Sequence, residues 1–183
     1  MVIITLIGII IFFSFWRFTD PRKGGMMQDL KVSRIRALTI FEILAVTLTY
    51  LMHILLPKYS LNFNQVIINF GLILFISSIA FAVWAKIAMG KYWNQPIVHD
   101  IKRQSKIIQS GPFRFSRNPI YVGVFLCFTG FFIVLKSPLI ITLIILAIVI
   151  HRAVLTEEKN LEKLFGKEYI EYKNKTPRYL FLK

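Results

Sequence analysis

The sequence predicts an all-α integral membrane bundle of about five transmembrane helices, followed by a C-terminal amphipathic helix. Three observations predict it. The 183 residues are 56% hydrophobic, with a mean hydropathy of +0.61, too apolar for a soluble domain. Five apolar stretches approach the roughly 20 residues that cross a bilayer. The net charge of +14 is gathered into alternate loops, the distribution the positive-inside rule describes.

The first stretch is Met1–Phe15. No basic segment precedes it and no small-residue cleavage site follows; Arg17, Asp20-Pro21 and Arg22-Lys23 come next, so a retained anchor is expected. The second, Leu38–Leu56, contains Glu42 near its cytosolic end. An intramembrane carboxylate is costly and a candidate for substrate contact, and snorkelling or pairing with a basic loop residue is the structural alternative. The third is Val66–Ala88. The polar, basic loop Gly90–Arg117 follows, with Tyr92 and Trp93 where the chain leaves the bilayer.

The fourth stretch, Pro119–Leu135, begins after a Gly111-Pro112 turn. Asn118 suits the N-cap, and Pro119 suits the first helical position, where no N–H is needed. The open N–H groups at such a helix start can bind an anion, such as a carboxylate. Gly123 and Gly130 lie seven residues apart on one face and permit close approach, either between spans or between span and ligand. Lys136-Ser137-Pro138 is a tight connection, so the fifth stretch, Leu139–Leu155, is expected to form an antiparallel hairpin with the fourth. Beyond it, Leu161, Leu164, Phe165, Tyr169 and Tyr172 share one helical face and Lys159, Lys163 and Lys167 another. That pattern predicts an interfacial helix, interrupted at Gly166 and ended by Pro177. The chain is read as one domain, with a three-span scaffold over 1–89 and the loop, hairpin and tail over 90–183.

Charge sets the expected topology. Arg17, Arg22, Lys23, Lys31, Arg34 and Arg36 mark the first loop, and Lys58 and Lys136 mark the second and fourth. The third loop and the tail hold most of the remaining basic residues. The N-terminus is therefore expected outside and the C-terminus in the cytosol. This placement explains the positive charge by topology and by contact with anionic headgroups, not by nucleic acid. Cys127 is the single cysteine, and His53, His99 and His151 are dispersed, so neither a disulfide nor a metal site is expected. His151 and Arg152, near the inner end of the fifth span, suit interfacial anchoring or contact with a substrate headgroup.

Two constellations carry chemistry. One is the helix start Asn118-Pro119-Ile120-Tyr121. The other is Glu157-Glu158, whose carboxylates can accept hydrogen bonds from an ammonium group and from ribose hydroxyls. A ligand with a carboxylate, an amine and a ribose matches both, and S-adenosyl-L-methionine is such a ligand.

The segment GPFRFSRNPIYVG, followed after a hydrophobic hairpin by EEKNLEKLFGKEYIEYKNKTPR, resembles the isoprenylcysteine carboxyl methyltransferase and phospholipid methyltransferase superfamily. The resemblance covers roughly Lys91 to Arg178, with both blocks in the family's order and separation. It implies an integral membrane enzyme that uses S-adenosylmethionine on its cytosolic side. It assigns cofactor binding to Ser105, Lys106, Ile107, Ile108, Phe113, Asn118, Pro119, Ile120, Tyr121 and Glu157, with Glu158 as the neighbouring member of the pair. Asn118 stands where many members have histidine, as in the NPMY pattern of phosphatidylethanolamine N-methyltransferases. It cannot titrate. Ala153 stands where eukaryotic isoprenylcysteine enzymes place a substrate-binding arginine, and Arg152 is one residue away. The expected reaction is methyl transfer to a lipophilic acceptor, an isoprenylcysteine-like carboxylate or a related group. Phospholipid ethanolamine N-methylation is the alternative. An NADPH-dependent membrane reductase and a non-catalytic scaffold are the further alternatives. The short chain suggests a prokaryotic inner membrane.

Overall fold

The computed structural model describes residues 1–18, 33–92 and 106–180; side chains of residues 16–18, 33–42 and 91 lie outside the description. The described chain is all-α. Its helices are α1 (Val2–Phe18), α2 (Ser33–Leu55), α3 (Gln65–Met89), α4 (Pro119–Val134), α5 (Leu143–Phe165) and α6 (Lys167–Lys175). Short 3₁₀ turns at Pro57–Tyr59, Gly90–Tyr92, Gly111–Arg114 and Pro138–Thr142 join or extend them. Gln65–Met89 and the continuous segment Pro138–Phe165 are long and apolar enough to cross a membrane. Val2–Phe15, Ile43–Leu55 and Pro119–Val134 are shorter apolar helices.

Side-chain exposure has the inverse pattern of a water-soluble bundle. Ile3, Ile54, Val66, Ile73, Ile141 and Ile144 all point outward. A contiguous apolar exterior is stable against lipid and unstable against water. The central helix is α4, with Gly123, Cys127, Phe128, Gly130, Phe131 and Phe132 all buried. Phe75 of α3 and Phe131 lie with ring centroids 6.4 Å apart, and Leu146 of α5, Ala45 of α2 and Ile9 of α1 complete this core.

The glycines decide how close α3 and α4 come. A Cβ at Gly130 would lie 2.6 Å from both the Gly71 carbonyl oxygen and the Phe75 nitrogen, and one at Gly123 would lie 2.6 Å from Ala82 Cβ. The Gly123/Gly130 face is therefore a helix–helix contact, backbone against backbone. Gly130→Ala is expected to push the two helices apart and lower stability by about 1–3 kcal/mol, the usual cost of overpacking. Thermal unfolding in detergent reads this directly, and an unchanged midpoint would contradict the packing.

The hairpin turn is built by a short sequence. Lys136 takes a positive φ of 52°. The Ser137 hydroxyl then accepts from Leu139 N–H at 3.2 Å, starting the next helical segment. Ser137 Oγ also lies 3.4 Å from Thr49 Oγ1, and His53 Nδ1 donates to the Leu135 carbonyl at 3.2 Å. The end of α2, the segment around Lys58 and the α4–α5 turn thus share one end of the bundle, with Leu61 N–H donating to the Lys136 carbonyl at 2.8 Å. The end of α3, the Gly111–Arg114 turn, the start of α4 and the tail share the other. Among the described residues, Lys106, Arg114, Arg117 and Arg178 gather at this second, basic end.

Two expectations need correction. The interfacial helix does break at Gly166 (φ 54°), but Leu164 is exposed at 41% and does not share the buried face of Tyr169 and Tyr172. Leu161 and Phe165 still pack against Tyr169 and Tyr172, so the rest of the predicted face holds across the break. As expected, Pro177 ends the helix: α6 stops at Lys175, and Thr176 caps it in the extended conformation favoured before proline. Finally, the Asn118 side chain makes no capping hydrogen bond. It is drawn instead to a buried carboxylate, a stronger, charge-assisted acceptor.

Candidate functional site

At the basic end, the start of α4, the end of α5, α6 and the segment 107–113 enclose a pocket. Its cavity volume is ≈ 50 Å³, several times the ~10–15 Å³ that one water needs. It is therefore a real recess and not a packing fault. Ile107, Ile108, Phe113, Ile120, Met89 and Leu161 give it apolar walls, and Arg117, Asn118, Tyr121, Glu157, Tyr169 and Tyr172 give it polar ones.

Each wall has a local cause. Gly111 adopts φ 58°, which lets the Gly111–Arg114 turn press against Trp84 and Ala88 at the end of α3. That turn buries Phe113 against Ala85, Ile108 and Ile120. Pro119 then opens α4 at the position where a missing N–H costs nothing. The next N–H groups, of Ile120 and Tyr121, have no carbonyl within their own helix to reach. One turn in, Tyr121 Oη donates to Glu157 Oε2 at 3.0 Å, joining α4 to α5 across the recess.

Glu158, the next residue, faces away from this space. It is 3% exposed and receives charge-assisted hydrogen bonds from three side chains. Arg117 Nε donates to Oε1 at 3.1 Å, Asn118 Nδ2 donates to the same oxygen at 3.1 Å, and Arg178 Nε and Nη2 donate to Oε2 at 3.1 and 3.0 Å. Arg117 also donates through Nη1 to the carbonyls of Lys173 and Thr176, at 2.9 and 2.8 Å. The tail is thereby tied to the loop before α4. Arg117 N–H donates to the Pro177 carbonyl at 2.9 Å, and the Arg178 carbonyl accepts from Ser116 Oγ at 3.1 Å and Asn118 Nδ2 at 3.2 Å.

Tyr169 and Tyr172 close the pocket from α6, with Tyr172 Oη donating to the Phe113 carbonyl at 2.7 Å. Burial pushes both phenols above their ordinary pKa, and the nearby Glu158 charge adds to the rise while Arg117 opposes it. Both remain neutral hydroxyls at any physiological pH. The hydrogen bonds to Glu158 likewise hold the Arg178 guanidinium in its charged form.

The residues singled out in the sequence divide accordingly. Ile107, Ile108, Phe113, Asn118, Pro119, Ile120, Tyr121 and Glu157 line one recess. Lys106 is exposed, with Nζ 5.5 Å from the Tyr92 ring centroid. Glu158 lies behind the wall, in the arginine cluster. Arg152 is exposed on α5, and His151 beside it sits with Nδ1 3.0 Å from Tyr179 Oη. Ser105, the Glu42 side chain and Trp93 lie outside the described residues. The contributions of Arg117 and Arg178 to the Glu158 cluster, and of Met89 and Leu161 to the walls, were not anticipated from sequence. The partners lie 20 to 60 positions apart in the chain, with no local pattern to join them.

Residues 66–168, more than half of the chain, match the model of a family described as phospholipid methyltransferase. The chain is also 29% identical over 113 residues to Protein-S-isoprenylcysteine O-methyltransferase B of Arabidopsis thaliana, a match that covers 60% of this chain. It spans 56% of the length of that curated relative. No solved structure matches the chain.

Proposed function

The chain belongs to the phospholipid methyltransferase family, an integral membrane family, and from that premise we propose that it transfers a methyl group from S-adenosylmethionine to a lipophilic acceptor at the cytosolic face of a membrane. The supporting observation is the recess in which Tyr121, Glu157 and the open N–H groups of α4 converge. The proposed topology has five spans, α1 to α5, with the basic end cytosolic.

The donor set fits the cofactor. Glu157 supplies a carboxylate for an ammonium group or a ribose diol. The Ile120 and Tyr121 N–H groups supply donors for a carboxylate, reinforced by the positive end of the α4 dipole. Ile107, Ile108, Phe113 and Leu161 offer an apolar surface for an aromatic base. When bound, S-adenosylmethionine supplies a sulfonium methyl already activated for in-line displacement. The protein's task is then alignment and exclusion of water. Tyr121 fixes the direction of Glu157 through its hydroxyl, and Tyr169 and Tyr172 shield the recess from the solvent side.

A carboxylate acceptor, such as a prenylated cysteine, needs no base. An ammonium acceptor would need one, for which Glu157 is the candidate in the recess, so a carboxylate makes the smaller demand on the site. Ethanolamine N-methylation is the second reading. It draws on Asn118, but that side chain is engaged by Glu158 and the Arg178 carbonyl, so its identity bears on the scaffold more than on the acceptor. Calorimetric titration of the detergent-solubilised protein tests the proposal. Saturable binding of S-adenosylhomocysteine with none of NADPH is expected, followed by label transfer from methyl-labelled cofactor into solvent-extracted lipid. Binding of NADPH alone would indicate a reductase, and binding of neither a scaffold.

A further inference from the structure

Arg178 touches both sides of the pocket wall without lining the pocket. Its side chain grips Glu158 of α5 through two N–H groups, at 3.1 and 3.0 Å. Its carbonyl accepts from Ser116 and Asn118, immediately before α4, at 3.1 and 3.2 Å. One residue of the tail thus staples the end of α5 to the start of α4, the two elements that carry Glu157 and the open N–H groups.

The staple acts on Glu157 through the helix. Consecutive helical residues point about 100° apart. Fixing Glu158 toward Arg117, Asn118 and Arg178 therefore fixes the angle at which Glu157 looks across to Tyr121. We propose that Arg178 is a positioning residue for the ligand site, setting the grip of Glu157 on its ligand through Glu158. This rests on the reading that Glu157 holds the cofactor. Arg178 suits the role better than Arg117. Its side chain is 27% exposed against 5% for Arg117, so its loss leaves no deep cavity. Glu158 also keeps the charge of Arg117 and the amide of Asn118 when Arg178 is removed, so the variant is expected to fold.

The test is S-adenosylhomocysteine titration of the unaltered protein, Arg178→Ala, Arg178→Lys, Glu157→Gln and the Arg178→Ala/Glu157→Gln double variant, each with its thermal midpoint. Arg178→Ala is expected to weaken binding about tenfold, as a contact network of charged groups couples its members. Arg178→Lys, which keeps the charge but not the paired N–H geometry, is expected to recover part of it. In the Glu157→Gln background, the Arg178→Ala loss is expected to shrink to less than about twofold, because the positioned charge is gone. A merely structural arginine would shift the midpoint and leave the affinity unchanged, or weaken it equally in both backgrounds; either result overturns the proposal. Failure of the unaltered protein to bind S-adenosylhomocysteine would overturn the cofactor reading itself and this inference with it. Binding by the unaltered protein that Arg178→Ala leaves intact would overturn this inference alone.

Discussion

Glu157→Ala is expected to weaken S-adenosylhomocysteine binding about 100-fold while lowering the thermal midpoint less than Glu158→Ala does. A hydrogen bond to a charged group is worth about 1.5–3 kcal/mol in a partly buried site, and each 1.4 kcal/mol is about tenfold in affinity. Glu157 faces the recess, and Tyr121 holds it there by a 3.0 Å hydrogen bond. Losing that bond costs the fold about 1 kcal/mol, which is about 2–4 °C for a chain of this size. The Glu157→Gln variant keeps the acceptor oxygen and loses the charge, so about a tenfold loss is expected. Titration calorimetry separates the three proteins. Equal affinity for all of them would remove Glu157 from the site.

The neighbouring residue is expected to behave in the opposite way. Glu158→Ala should destabilise the protein by about 3–5 kcal/mol, the cost of stranding a buried charge, and lower the midpoint by on the order of 10 °C. Its carboxylate compensates Arg117, whose side chain is 5% exposed. Without it, that guanidinium keeps the carbonyls of Lys173 and Thr176 as its acceptors among the described residues. The Asn118 amide and the Arg178 fork lose their shared acceptor at the same time. Thermal unfolding in detergent measures the loss. A midpoint within about 2 °C of the unaltered protein would mean that the tail is not held by this cluster. The pair of experiments distinguishes two adjacent glutamates by their surroundings: one is expected to lose ligand and the other to lose fold.

The adjacency of these two residues marks where reading the sequence reached its limit. Glu157-Glu158 stands out as a pair because two carboxylates at a membrane helix end are chemically unusual. Which one faces a recess depends on the rotation of α5, and that is fixed by Arg117 and Arg178 from distant parts of the chain. The Asn118-Pro119 helix start was similarly legible, since proline at the first helical position is a local signal. The use of the Asn118 amide was not, because the choice between its own backbone and Glu158 is made by a partner 40 residues away. The tyrosines of α6 read as the buried face of an amphipathic helix. Their second role as a wall beside Phe113 comes from the turn at Gly166 that folds α6 back.

The sequence alone determined the all-α class, the apolar helices and the basic end, because hydrophobic periodicity and the cost of placing charge in hydrocarbon act on each segment independently of the rest. The glycine face on α4 belongs with them, since a missing side chain is visible without a partner. Tertiary structure alone decided which partner that face meets and which carboxylate opens on the pocket. It also decided that a tail arginine closes the wall. Those outcomes depend on helix rotation and on charge pairs between segments far apart in the chain, whose energies exist only once the segments have been brought together.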